Sequence, residues 1–156
     1  FPNHQLSMTV LMTPDMANFS GKVHGGHILK LLDQVAYACA SRYAGMYVVT
    51  LSVDRVLFRQ PIRVGELVTF LASVNYTGNT SMEVGVKVYA ENMRAQEEQR
   101  HVASAYLTFV ALDKNRQKHP VPPVIAETAE EKRRYQQAGY RREYRLAHRS
   151  LPPTDG

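Results

Sequence analysis

Between Ile28 and Ala40 the chain is apolar at helical spacing, and one carboxylate, Asp33, interrupts that stretch. Ile28, Leu32, Val35, Ala36 and Cys39 recur at intervals of three and four, and Leu31 and Ala38 widen the stripe. Residues from Gly26 to Tyr43 therefore read as a helix covered over most of its surface, ending near Gly45. Aspartate is a poor interior helix former, and an ionised carboxylate among apolar neighbours is costly without a partner. Asp33 is then either a hydrogen-bonded structural residue or a chemical one.

The rest of the chain reads as strands that could cover such a helix. Gln5 to Met12 forms a first strand and Thr13-Pro14-Asp15 a turn. Val48 to Phe58 is rich in β-branched residues and closes at Pro61. From Leu67 to Tyr76 the alternation assigns Val68, Phe70, Ala72, Val74 and Tyr76 to one face, and Thr77-Gly78-Asn79 supplies a turn. Met82, Val84, Val86, Val88 and Ala90 repeat the pattern, and a last strand runs from about Val102 to Leu112. One long helix with several antiparallel strands implies an α+β fold with a sheet wrapped around a central helix. A connection from Asp113 to Pro123 reads as extended, and Ala126 to Tyr144 as a helix with a break at Gly139. Residues 1–123 are thus the expected α+β domain and 124–156 a basic helical extension.

Composition bounds the function. A length of 156 residues suits about one domain, and 44% hydrophobic residues is ordinary for a soluble protein. No run approaches the roughly 18 apolar residues of a membrane span, so no membrane insertion is expected. The start has no basic-then-apolar signal region, and the one cysteine, Cys39, lies on the helix stripe. Both suit a cytoplasmic location and a structural thiol. The net charge of +5 is concentrated between Lys132 and Arg149, where seven basic residues face only Glu143. Those arginines, interleaved with Tyr135, Tyr140 and Tyr144, suit a solvated helix face or a subunit contact. They also suit a regulatory nucleotide, whereas nucleic acid is an unlikely partner.

The helix start carries its own chemistry. Gly25 and Gly26 allow a ligand to approach the backbone, and the free N–H groups of a first turn attract an oxygen that gains charge. Asp33 follows Gly25 by eight residues, about 12 Å along a helix axis. One helix cannot bring both groups to one carbonyl. If they act together, the acid comes from a second copy of the chain, and a twofold dimer holds two equivalent sites.

The stretch Asn18-Phe-Ser-Gly21-Lys-Val-His24-Gly25-Gly26-His-Ile-Leu-Lys-Leu-Leu-Asp33 resembles the signature of hotdog-fold acyl-CoA thioesterases, especially the cytosolic acyl-CoA hydrolase branch. The resemblance continues through Val53-Asp54-Arg55-Val56-Leu57-Phe58-Arg59-Gln60-Pro61-Ile62, Val64-Gly65-Glu66 and the strand Ala105 to Asp113, and covers roughly residues 6 to 122. It implies a hotdog fold and hydrolysis of fatty acyl-CoA to a fatty acid and coenzyme A, with no cofactor. It also implies catalytic positions at Asn18, Gly25 and the partner's Asp33, with Asp33 acting as general base or as nucleophile. A homodimer follows, and the family often assembles trimers of dimers.

Around that centre, His24 and Gly26 would border the thioester, Phe58 the acyl chain, and Arg63, Thr80 and Ser81 the coenzyme's phosphates. Tyr37, Tyr43, Met46 and Phe58 would set acyl length. His24-x-x-His27 lacks the further ligands of a metal site, so no metal is expected. No Gly-x-Ser-x-Gly elbow is present, and Cys39 has no activating histidine motif. Two other readings compete. A hotdog hydratase would have to use Asp15, Asn18 and His24, whose spacing is too wide, and a nonenzymatic acyl-CoA or nucleotide-binding regulator would bind without turnover.

Overall fold

The computed structural model describes residues 3–95 and 98–149. Phe1, Pro2, Gln96, Glu97 and the segment 150–156 of the expected extension lie outside the described residues. Strand β1 spans Gln5–Leu11, a 3-10 turn Pro14–Met16, helix α1 Gly25–Ala44, β2 Tyr47–Phe58, β3 Leu67–Thr77, β4 Ser81–Glu91, β5 Arg100–Leu112 and helix α2 Ala129–Arg149. The five strands form one antiparallel sheet in the order β1-β3-β4-β5-β2. This is the α+β arrangement that the residue patterns imply and the hotdog fold that the resemblance implies.

Helix α1 lies against one face of the sheet because its stripe is apolar. Ile28, Leu32, Val35, Ala36, Cys39 and Ala40 are buried with Val68, Phe70, Val84, Val86, Leu107 and Phe109 of the strands. Each large side chain so covered contributes about 1.5–3 kcal/mol. The helix stops at Gly45, whose positive φ of 69° is the left-handed conformation that closes a C-terminus, with its N–H bonded to the Ser41 carbonyl. Coverage is narrower than the pattern suggests. Leu29, Asp33, Gln34, Tyr37 and Ala38 are exposed on the side of α1 that the sheet does not reach.

Two departures from simple alternation determine which side chains face α1. Val74 pairs with Val84, but the next pair is Tyr76 with Glu83, so Asn75 is an extra residue in β3. That bulge turns Tyr76 to the outer face, where its ring meets Tyr135 at 4.7 Å, and corrects its assignment to the face of Val74. Strand β2, at the sheet edge, bulges twice: Thr50 pairs with Phe109, Ser52 with Thr108, Val53 with Leu107 and Arg55 with Tyr106. Paired residues share a face. Thr50 and Val53 therefore face α1 with Phe109 and Leu107, whereas Ser52 and Arg55 face outward.

Helix α2 covers that outer face. Thr128 and Glu131 form a reciprocal capping box, Glu131 N–H to Thr128 Oγ1 at 3.0 Å and Thr128 N–H to Glu131 Oε1 at 3.1 Å. The cap starts the helix at Ala129 instead of Ala126. Nor does it break at Gly139: the helix is continuous and packs there against the Tyr76 ring. The tail is only partly a solvated face. Arg141 makes two hydrogen bonds with buried Glu83, at 2.9 and 2.6 Å, and Arg145 binds Asp54 at 2.7 Å. His4 of the N-terminal segment meets Glu131 at 2.8 Å. Among the described residues no helix is long and apolar enough to cross a membrane.

Candidate active site

The loop before α1 is shaped by Asn18. Its Oδ1 accepts the Ser20 N–H at 3.0 Å, the Ser20 hydroxyl at 2.7 Å and the Lys22 N–H at 3.2 Å. Gly21, at a positive φ of 77°, closes this turn, and Asn18 N–H bonds the Lys22 carbonyl at 2.7 Å. An amide oxygen with three donors fixes the orientation of the group. The Nδ2 end has no hydrogen bond within the described residues and is available only as a donor.

The loop is also held from below. Val23 N–H bonds the Ile62 carbonyl at 2.8 Å, His24 N–H the Met16 carbonyl at 3.0 Å, and Lys22 bridges to Arg63. Glu66, buried, accepts both guanidinium arms of Arg100 and the Arg63 N–H at 2.8 Å, while Arg100 also donates to the Pro61 carbonyl at 3.1 Å. The Arg100 guanidinium holds the Glu66 carboxyl below the usual carboxylate range. This clamp holds Pro61 and Arg63, and the Arg59 N–H bonds the Val102 carbonyl at 2.7 Å, so both ends of the segment from Arg59 to Arg63 are tied. Sequence reading passed over it, since Glu66 stood only as part of a motif.

That segment walls a cavity of about 280 Å³ at the start of α1, lined by Val23, Gly25, Ile28, Phe58, Arg59, Gln60, Pro61 and Ile62. Gly25 and Phe58 are thus brought together. Gly25 and Gly26 are exposed, and no atom lies within 4 Å of where a methyl group on either would project. Their N–H groups have no partner among the described residues. The His24 side chain is exposed at the cap position without capping the helix, and the buried Nε2 of His27 is unpartnered.

Asp33 is exposed, two turns along α1, on the same uncovered side as Leu29 and Tyr37. On the free edge of β2, Thr50, Val53 and Phe58 face α1 and yet are exposed; Val53 and Phe58 retain 53% and 48% of their accessible surface. Thr50 was not singled out from sequence. The signal that finds it is the bulge at Leu51, which pairing reveals and a residue pattern does not. Asp33 on α1 and Thr50, Val53 and Phe58 on the α1-facing side of the β2 edge are therefore all exposed, and the strand edge is unpaired in one chain.

The candidate coenzyme contacts separate. Thr80 and Ser81 line a cleft of about 860 Å³ between the β3–β4 turn and the end of α2, with Lys118, Arg142 and Arg145. Arg63 precedes the opposite end of β3, whose 11 residues extend about 35 Å. Within one chain Arg63 and the Thr80–Ser81 pair cannot meet the same phosphates. Among the acyl-length residues, Tyr43 is buried and its hydroxyl donates to the Pro122 carbonyl at 2.7 Å, which makes it a structural fastening. Burial pushes the Cys39 thiol up to about 11, so it is no nucleophile at neutral pH. Among the described residues no group of three metal-ligating side chains exists.

Residues 20–96 match the model of the thioesterase superfamily. The chain is 49% identical to Protein VdlD of Helicobacter pylori over 90% of its own length and 80% of that protein. It is 37% identical to the human cytosolic acyl coenzyme A thioester hydrolase over 85% of the chain, which spans 35% of that longer protein. Among solved structures, an acyl-CoA hydrolase from Bacillus cereus superposes with a TM-score of 0.89 at 38% identity, covering 95% of this chain and 90% of that one. An apo-hexameric acyl-CoA thioesterase gives 0.91 at 35% identity, covering 96% of each chain. With its helix-wrapped sheet, its asparagine turn and its glycine-started helix, the chain belongs to the thioesterase superfamily, on the branch of the hotdog-fold acyl-CoA hydrolases.

Proposed function

We propose that the chain hydrolyses fatty acyl-CoA to a free fatty acid and coenzyme A at sites that two copies build together. The observation that carries this reading is the separation of its parts. Gly25 and the Asn18 donor stand at one end of α1, Asp33 is exposed two turns along it, and Thr50 is exposed on the free edge of β2. A twofold axis beside β2 pairs two such edges antiparallel and brings each Asp33 toward the other chain's Gly25. The same operation sets the Thr80–Ser81 end of one copy beside the Arg63 end of its partner, so two chains can flank one coenzyme where one chain cannot.

Related structures support the assignment of residues. An acyl-CoA hydrolase from Staphylococcus aureus, solved with butyryl coenzyme A and coenzyme A, is 34% identical, covers 94% of this chain and has a TM-score of 0.88. Alanine variants of that hydrolase replace one asparagine, one aspartate and one threonine. The asparagine and aspartate are fifteen residues apart, and the threonine lies seventeen further on. Asn18, Asp33 and Thr50 have the same two intervals.

In the proposed reaction the thioester oxygen lies against the Gly25 N–H, with Gly26 and His24 at its border and Phe58 against the acyl chain. Asn18 Nδ2 donates to that oxygen or to the oxygen of the attacking water. Asp33 of the partner takes a proton from water as it adds to the carbonyl carbon. The C–S bond then breaks, and the thiolate recovers the proton as coenzyme A leaves. Direct attack by Asp33 would pass through a mixed anhydride that water then opens. Single turnover in ¹⁸O-water separates these routes where water opens the anhydride at the Asp33 carbonyl: Asp33 then takes the label and the fatty acid leaves unlabelled, whereas general-base attack labels the fatty acid at once. No cofactor is needed for either.

Hexameric thioesterases among the similar structures support a trimer of such dimers, and the relatives named cytosolic support a cytoplasmic location. A regulatory nucleotide would have the basic cleft around Thr80, Ser81 and Arg142 available, and adding purine nucleotides to the hydrolysis reaction tests it. Thiol release from palmitoyl-CoA tests the function itself. Turnover supports the hydrolase, and binding without turnover would replace it with the acyl-CoA-binding regulator.

A further inference from the structure

Asp54 is the extra residue of the second bulge in β2, and three elements converge on its carboxylate. Oδ1 accepts the Ser52 hydroxyl of β2 at 2.9 Å, and Oδ2 accepts the Thr108 hydroxyl of β5 at 3.3 Å and an Arg145 guanidinium N–H of α2 at 2.7 Å. Thr108, almost fully buried at 1% exposure, is the residue against which Ser52 pairs. The ties therefore span the whole irregular stretch between the two slips of register, Thr50 to Ser52 and Val53 to Arg55.

Register along that stretch has a direct consequence for the open flank. An unbulged β2 would put Thr50, Ser52 and Asp54 on one face and Val53 on the other, because side chains alternate. With Leu51 and Asp54 inserted, Thr50 and Val53 face α1 together while Ser52 and Asp54 are tied outward. An edge strand has a hydrogen-bonded neighbour on one side only, so in a single chain the β5 ladder alone holds the backbone of β2 against a slip back to plain alternation. The carboxylate knot adds a side-chain restraint at the bulges themselves, and its charged arm comes from the helix on the far side of the sheet. The cation on α2 is mostly shielded, with 23% of its side chain exposed.

The geometry points to Asp54 and Arg145 as a pair of positioning residues that lock the double bulge and so aim Thr50 and Val53 at the reaction centre. Helix α2, on the opposite face from Asp33, is thereby part of the catalytic apparatus through its Arg145. This rests on the reading of Asp33 and Thr50 as parts of the thioester site.

The test compares Asp54→Asn, Arg145→Ala, Arg145→Lys, the double variant Asp54→Asn/Arg145→Ala, and Asp33→Ala. For each, kcat and KM for palmitoyl-CoA are measured with melting temperature, assembly state and amide hydrogen exchange of the peptide spanning residues 48–58. Arg145→Ala should lower kcat about tenfold or more with KM changed about twofold at most, since a misplacement near 1 Å suffices for such losses. Arg145→Lys should recover much of it, and the double variant should be no worse than the lower single one, as expected of residues acting as a unit. Exchange should rise across the bulges while assembly is retained. Wild-type kcat in both single variants, beside an inactive Asp33→Ala, would overturn the positioning role and leave the site reading standing. Loss of activity only through dissociation, with bulge exchange unchanged in the remaining assembly, would overturn it as well. Full activity in Asp33→Ala would remove the site reading, and the positioning role with it.

Discussion

Glu66 and Arg100 meet through both carboxylate oxygens beneath the loop that walls the Gly25 cavity. The Glu66 carboxyl is held below its ordinary value of 4.5, so its charged form is favoured in the folded chain. The stabilisation is fully present above that value and is lost as pH falls through the lowered folded value. Wild-type protein should therefore exceed Glu66→Gln in urea stability at neutral pH, and the gap should close on acidification below about 4.5. A gap that does not vary with pH would contradict the clamp.

Asn18 has its oxygen engaged by Ser20 and Lys22 and only its NH₂ end free. Removal of an oxyanion-type donor costs about 3 kcal/mol, so Asn18→Ala should lower kcat by about 10²-fold. Asn18→Asp, which can keep the turn but lacks the donor, should be equally poor. Steady-state kinetics on the two variants checks this, and an active Asn18→Asp would exclude the donor role.

Gly25→Ala separates space needed for folding from space needed for substrate. A methyl group there meets no atom of the chain within 4 Å, and alanine suits a helix better than glycine. The melting temperature should hold or rise slightly. Activity should fall at least about tenfold, because the methyl occupies the approach to the free N–H groups.

Arg141 neutralises a Glu83 that is 3% exposed. Arg141→Ala leaves that charge buried alone and should cost about 3–5 kcal/mol, read as a lower urea midpoint. Adding Glu83→Gln should return part of the loss. Equal stability of wild type and Arg141→Ala would mean that α2 is not fastened through this pair.

Much of the fold was legible because periodicity reports burial. The stripe on α1 and the alternation in β3 and β4 name the core, since a residue packed inside must recur at the spacing of its element. What alternation cannot report is an inserted residue. Tyr76 reads as facing Val74 until the pairing shows Asn75 to be extra, and Thr50 gains its orientation from Leu51 in the same way. Capping was legible but overlooked: Thr128 and Glu131 have the spacing of a reciprocal cap, and it sets the start of α2. For the site, Asn18, Gly25 and Asp33 stood out through residue types that a core helix and its entry would not use. The roles of Arg63, Thr80 and Ser81 depended on distance, and β3 puts them at opposite ends. Ion pairs far apart in sequence, Glu66 with Arg100 and Asp54 with Arg145, have no local pattern at all.

The most direct test of the account is complementation between two inactive homodimers. Asn18→Ala and Asp33→Ala proteins, each nearly inactive, are dissociated, mixed in equal amounts and reassembled, with heterodimers verified by mass. If each site takes Asn18 from one chain and Asp33 from the other, every heterodimer regains one intact site. The mixture should then recover about a quarter of wild-type activity, as random pairing of a twofold dimer requires. Verified heterodimers that remain inactive would contradict shared sites.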